Sequence, residues 1–452
     1  MGNEKKIALN STISRRAFMK ASTITAGGIL LGSLPVGASA YAAGNDKLKI
    51  ALIGCGSRGT GAAANALSSN DGVELVAMAD ILPDQLAESF QILSTRYAGT
   101  DKINVPDEHK FVGFDSFKHA IPLADVVLLT TPTFFRPLHF EEAVKHGKHV
   151  FMEKPVAVDA AGVRRVLEAG KKAKEQDLKV VVGLQRRYDM RYRELYRRLR
   201  DGQIGEIISG QVYWNQGPFF IRERQPGWSE LEHQIRNHFH FIWQAGDQVL
   251  DQMIHNIDVA NWYLGEHPDS AQGMGGREVR TGKEYGQIFD HNFVEYTYPS
   301  GAVISAQCRQ IPDCFNIVTE RFNGTEGFLS TGGPEGPTIR DRRKNELFRY
   351  ESDNDPSPYD HEHVELFEAI RRGTTLDNTE YASISTMTAI MGFMATYSGQ
   401  FLEWEEALNS DRRMYPHHDL LPEDVTWDTP APVQPDENGY YPVPVPGVTR
   451  VI

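Results

Sequence analysis

Cysteine is scarce: Cys55, Cys308 and Cys314 are the only three in 452 residues, too few and too scattered for a zinc cluster or a disulfide framework. Cys308 and Cys314 are close enough in sequence to pair in an oxidising compartment, or to sit as two half-buried strand thiols. Long apolar runs are missing too, since beyond residues 21–37 nothing is long and apolar enough to span a bilayer. Positive charge is in deficit, with 47 Lys and Arg against 60 Asp and Glu and a formal net charge of -13. Such a body argues against nucleic acid and anionic membrane surfaces as partners. No internal repeat stands out.

The first segment that is present reads as an address. Lys5, Lys6 and the pair in Ser14-Arg15-Arg16-Ala17-Phe18-Met19-Lys20 form a positive region, residues 21–37 a mild apolar stretch, and Ala38-Ser39-Ala40 a small-residue cleavage site. The expectation is a twin-arginine signal peptide over 1–40, with an uncleaved anchor as the alternative, and hence a periplasmic protein. Removing this segment takes the formal charge from -13 to -17, because it holds five Lys and Arg and one Glu.

The body then alternates strand and helix. Lys49–Ile53 is a short apolar run, Thr60–Leu67 a small-residue helix, Val73–Ala79 a second strand and Asp125–Thr130 a later one. Phe140–Lys145 reads as a helix, and Lys148–Met152 and Lys179–Leu184 as further strands. Repeated strand-helix units imply an α/β fold with a parallel sheet, here a Rossmann domain over 47–187. Gly54-Cys55-Gly56-Ser57-Arg58-Gly59 follows the first strand and opens the first helix. In that context Gly54 permits a tight turn, Gly56 lets the backbone approach a pyrophosphate, and Gly59 lets helix and strand pack closely. Asp80, about 20 residues on at a strand end, is placed to bind ribose hydroxyls and favours NAD over NADP, although Arg58 offers a guanidinium to a 2'-phosphate.

From about residue 188 the pattern changes. Phe293–Tyr298, the turn Pro299-Ser300-Gly301 and Ala302–Arg309 read as a hairpin of an antiparallel sheet. Helical patterns follow at Glu362–Arg372 and Tyr381–Leu402. The expected organisation is an α+β domain with a large, mostly antiparallel open sheet and C-terminal helices over 188–410. A Pro-rich extended tail over 411–452 would lie on the surface or on a neighbouring subunit.

Thr131-Pro132 closing a strand, Gly147-Lys148-His149-Val150-Phe151-Met152-Glu153-Lys154-Pro155, Gly183-Leu184-Gln185-Arg186-Arg187-Tyr188-Asp189 and Asp251-Gln252-Met253-Ile254-His255-Asn256-Ile257-Asp258 together resemble the Gfo/Idh/MocA oxidoreductases, with inositol dehydrogenases and glucose-fructose oxidoreductase as the nearest types. The resemblance implies a nucleotide domain whose fifth strand ends in Glu-Lys-Pro, with Thr131, Pro132, Glu153 and Lys154 beside the cofactor. It implies catalysis by Lys154, Asp251 and His255, a substrate contact from Asp258, a substrate or cofactor contact from Arg186, and a second-domain sheet that mediates dimers or tetramers; Asn237, in the amide-rich stretch 213–243, is a further substrate candidate on its residue chemistry. One departure stands out: many members carry His four residues after the Thr-Pro proline, where this chain has Arg136.

Residue chemistry runs in the same direction. On a helix Asp251 and His255 share a face, with Asp258 three further on. A His beside a carboxylate can take an alcohol proton as a hydride leaves the same carbon, and a nearby Lys can stabilise the developing alkoxide. Tyr213–Trp243 is dense in aromatics, amides, His and Arg and suits a sugar ring, or else ordinary packing of a long insertion. His238-x-His240 is half a metal site without further ligands placed by spacing, so no metal is expected. The expectation is therefore a periplasmic oxidoreductase with tightly bound NAD acting on a carbohydrate hydroxyl. The alternative is a glycoside hydrolase working by transient ring oxidation, elimination and re-reduction. A sensor that keeps the fold without chemistry is a third reading, against which the intact Lys154, Asp251 and His255 argue.

Overall fold

The computed structural model describes residues 47–415 and 424–450. The expected signal peptide and parts of the tail lie outside the described residues. Six short strands form a parallel sheet in the order β3 (Lys110–Val112), β2 (Val73–Asp80), β1 (Leu48–Ile53), β4 (Val126–Leu129), β5 (His149–Met152), β6 (Val180–Val182). The chain order reverses between β1 and β4, which opens a crevice at the C-terminal strand ends. These strands are apolar on both faces because helices cover both: Val126 to Leu129 and Val180 to Val182 are wholly buried. Small residues Gly59, Ala62, Ala63 and Ala66 let the helix Ser57–Ser68 lie close on the sheet.

The second domain is a nine-stranded sheet in the order β14 (Glu346–Arg349), β13 (Pro337–Asp341), β12 (Gly327–Thr331), β11 (Ile317–Gly324), β7 (Ile207–Gln216), β10 (Val303–Gln310), β9 (His291–Thr297), β8 (Ser270–Gly276), β15 (Leu402–Glu403). All neighbours run antiparallel except β7 and β10. The hairpin at 299–301 joins β9 to β10 as its turn chemistry requires, with Gly301 at φ 84°. One face packs on the helices Ile254–Leu264 and Thr379–Ser398, whereas the other leaves Met274 exposed.

One detail departs from the sequence reading, and two decide between alternatives it left open. The helix Pro358–Arg372, grouped there with the second domain, inserts Leu366, Phe367 and Ile370 into the core around Leu48, Ile50 and Leu52, so it covers the nucleotide domain. Cys308 and Cys314 are both free thiols, and Cys308 points inward toward Asn292 while Cys314 lies past the end of β10. The tail folds back on its own chain. Trp427 meets Phe114 with ring centroids 5.0 Å apart, Val433 accepts a hydrogen bond from Gln234 at 2.6 Å, and the Tyr441 hydroxyl donates to Glu230 at 2.6 Å. Among the described residues no helix is long and apolar enough to cross a membrane.

Candidate active site

The crevice at the strand ends is a cleft of about 560 Å³ that runs from the glycine turn, past the ends of β4 and β5, to the wall of the second domain. At its first end, geometry comes from backbone. Gly54 has φ 96°, and a Cβ there would lie 2.6 Å from the Thr131 nitrogen; a Cβ on Gly59 would lie 2.0 Å from the Gly54 oxygen. At Gly56 the same test meets only the Gln85 Oε1, at 3.9 Å, so this face of the turn is open to the cleft. The helix Ser57–Ser68 has no side-chain cap and no acidic residue in its first turn. Its unpaired N–H groups and dipole fit a pyrophosphate.

Asp80 stands at the end of β2 and accepts from the Cys55 N–H at 2.5 Å and the Leu82 N–H at 2.8 Å. It locks the turn to the second strand, and burial pushes its carboxyl above the usual range. A carboxylate has further lone pairs for ribose hydroxyls. Arg58 is engaged elsewhere: its Nε donates to Glu153 at 2.5 Å and its guanidinium lies 3.5 Å from Glu362. It therefore serves the end of β5 and leaves the Asp80 carboxylate as the charged group against the glycine turn. These features fit a dinucleotide without a 2'-phosphate.

At the other end, side chains converge. Lys154 Nζ donates to the Asp251 backbone carbonyl and lies 3.7 Å from its Oδ1. Gln252 Nε2 donates to the second carboxylate oxygen at 2.5 Å, which fixes the Asp251 plane. His255 is stacked on Trp214 at 5.7 Å between centroids. Its Nδ1 is buried and has no hydrogen-bond partner, and burial followed by the fields of Lys154, Arg186 and Arg58 holds the ring well below its ordinary pKa. A neutral imidazole with a spare nitrogen is a proton acceptor. Asp251 and His255 do not share one helix, since the turn at 252–253 separates the helices Gln248–Asp251 and Ile254–Leu264. The break still leaves both on the cleft wall.

Gly54, Gly56, Ser57, Arg58, Gly59, Asp80, Thr131, Pro132, Glu153, Lys154, Asp251 and His255 all line this one cleft. Arg186, Asn237 and Asp258 do not. Arg186 is drawn to the wholly buried Glu320, Asp258 forms a two-pronged pair with Arg187 and accepts from Ser385 at 2.8 Å, and Asn237 holds both backbone groups of Arg222. In each case a buried charge or amide is satisfied by protein, which takes it away from a substrate.

Sequence reasoning passed over His139. It sits one turn after Arg136 on the helix Arg136–Lys145, contacts the Thr131 hydroxyl at 3.2 Å, and burial drives its pKa down to about 3. The signal was the helical face behind Thr131-Pro132, on which positions 136 and 139 coincide. Arg136 is buried and donates to the carbonyls of Thr131 and Pro155, so it clips the end of β4 to the end of β5. Leu82, beside Asp80, and Phe114 and Phe135 also line the cleft and carried no local motif. Among the described residues no group of three or more His, Cys, Asp or Glu side chains is arranged to hold a metal.

Residues 48–184 match the oxidoreductase family with an NAD-binding Rossmann fold, and residues 192–330 match the Gfo/Idh/MocA C-terminal domain. The chain is 33% identical over 235 residues to an inositol 2-dehydrogenase of Burkholderia cenocepacia, a match that spans 50% of this chain and 57% of that protein. It is 25% identical over 288 residues to the scyllo-inositol 2-dehydrogenase (NAD(+)) of Bacillus subtilis, spanning 63% of this chain and 74% of the relative. In fold it is similar to aldose-aldose oxidoreductase from Caulobacter crescentus complexed with glycerol (TM-score 0.63, 19% identity, 79% of this chain and 99% of that one). It is also similar to scyllo-inositol dehydrogenase from Lactobacillus casei with bound NAD(H) and scyllo-inositol (TM-score 0.60, 20% identity, 80% and 100%). With both of its domains matched in sequence and the glycine turn, the Glu-Lys-Pro strand end and the Asp251/His255 pair brought to one cleft, the chain belongs to the Gfo/Idh/MocA family of oxidoreductases.

Proposed function

We propose that this chain is an NAD(H)-dependent oxidoreductase that interconverts a hydroxyl and a keto group on a sugar, glycoside or cyclitol. The observation that carries the reading is the convergence of Lys154, Asp251 and His255 at one end of a cleft whose other end is an uncapped helix N-terminus behind a glycine turn. Relatives named as inositol dehydrogenases support the substrate class.

NAD would supply a hydride acceptor here, and Gly54 to Gly59, Asp80, Thr131, Glu153 and Lys154 are the residues that would hold it. His255, kept neutral by burial, receives the hydroxyl proton. Lys154 stabilises negative charge that develops on the same oxygen, and Asp251, steadied by Gln252, sets the position of the Lys154 ammonium. Trp214, Phe219 and Phe239 offer flat faces to the C–H side of a ring.

The finer reading is a periplasmic enzyme that keeps its cofactor. The twin-arginine segment at Ser14–Lys20 supports export after folding, and free NAD is scarce outside the cytoplasmic membrane, so the nucleotide is loaded first and recycled in place by a second substrate. The open sheet face, which carries the exposed Met274, supports a dimer or tetramer. The test is to purify the exported form, identify the released nucleotide and follow nicotinamide absorbance against a panel of sugars and cyclitols. Co-purified NAD that is reduced by a polyol is the expected result; release of an aglycone with no net change in sugar oxidation state would overturn it.

A further inference from the structure

The cleft runs against the charge of the chain. Arg58, Arg136, Lys154, Arg222 and Arg236 line it, against the carboxylates of Asp80, Glu153 and Asp251, in a protein of net charge -13. Three of the cations have carboxylate partners: Arg58 has Glu153, Lys154 has Asp251, and Arg236 has Asp84 and Glu232 at 2.7 and 2.8 Å. Arg136 rests on backbone carbonyls.

Arg222 is different. Its guanidinium lies 5.2 Å from the centroid of the Phe220 ring and has no carboxylate partner among the described residues. Its backbone is not loose, because the buried Asn237 side chain accepts from the Arg222 N–H at 2.8 Å and donates to its carbonyl at 3.1 Å. The exposed side chain thus rises from an anchored backbone at the cleft rim near His238, whose ring it helps to keep neutral, on the side that also feels Asp251. A pyrophosphate seated on the glycine turn is neutralised by helix N–H groups at the opposite end and leaves this cation unanswered.

Resting on the redox reading above, we infer that Arg222 recognises a carboxylate on the substrate, which makes the preferred polyol a sugar acid. One planar guanidinium matches one carboxylate by two parallel hydrogen bonds, and a backbone anchored through Asn237 removes part of the ordering cost of forming them. The acidic body would otherwise repel such a substrate, so a cationic wall is needed where it binds.

The test uses the full-length holoenzyme, titrated with sodium D-gluconate, sodium D-glucuronate, D-glucose and myo-inositol, with binding read from tryptophan fluorescence because Trp214 lines the cleft. The acids are expected to bind about tenfold or more tightly than the neutral polyols. Arg222→Gln should collapse that ratio by about tenfold, Arg222→Lys should keep part of it, and added salt should weaken the acids alone. Equal binding of acids and neutral polyols overturns the inference, as does a preference that survives in Arg222→Gln, or a variant whose main defect is loss of the nucleotide. Arg222-dependent acid binding with no change in nicotinamide absorbance would instead leave this inference standing and overturn the redox reading.

Discussion

The two ends of the cleft are built by opposite means. At the glycine turn, recognition comes from main chain: a φ of 96° at Gly54, an uncapped helix and one carboxylate. At the far end it comes from side chains brought in from the end of β5, the Gln248–Asp251 and Ile254–Leu264 helices and the segment 217–247 with its short helices. A main-chain site needs particular residues at particular spacings, because only glycine fits. A side-chain site needs only that distant segments meet, and many sequences can satisfy that.

If the two ends are separable, removing the ammonium should stop chemistry and leave the nucleotide in place. Lys154→Ala is expected to lower kcat by about 10³-fold, about 4 kcal/mol, with NAD still co-purifying. A variant that folds, keeps NAD and turns over at the normal rate would sink the mechanism. The converse change, Gly59→Ala, puts a methyl 2.0 Å from the Gly54 oxygen. It should cost about 3 kcal/mol of stability in urea unfolding and abolish nucleotide retention, while sparing the local arrangement of Lys154 and His255. Asp80→Asn is milder: it keeps an acceptor oxygen and loses the charge, so NAD affinity should fall about tenfold, measured by calorimetry on the stripped protein.

Acidity probes both ends together. Burial holds His255 and His139 below the ordinary histidine value, His139 at about 3, and it likewise keeps His233, His238 and His240 at about 4. Folded pKa values below the unfolded 6.5 mean that stability is complete above pH 6.5 and is lost as the pH falls toward 4, because the unfolded chain binds the protons. The urea midpoint should drop over that window. For the reaction, a neutral His255 is the working form, so the acid limb of kcat/KM should lie well below pH 6.5; a limb at or above that value would remove His255 as the base.

This contrast also explains what could be read from the sequence. The glycine turn, Asp80 and the strand ends at Thr131 and Glu153 were legible because each is a local pattern. Lys154, Asp251 and His255 were legible through resemblance, although the break at 252–253 was not, because helical spacing alone cannot show a turn inside it. Arg186 and Asp258 were misplaced because their buried counter-charges, Glu320 and Arg187, come from other contacts that no spacing reveals. His139, Phe114 and Leu82 had no signal beyond the face of an element, and their place in the cleft is set by tertiary packing. Even so, Asn237 lies one step from recognition, since it holds the backbone of Arg222.

The tail gives the molecule an order of assembly. Trp427 backs Phe114, and Tyr441 packs on Phe241 and bonds Glu230 on the helix that carries Ile235 and Arg236 into the cleft wall. A ribosome must therefore pass residue 441 before the layer behind Phe114 and Phe241 can be closed, so this wall of the cleft is finished by chain made long after the glycine turn.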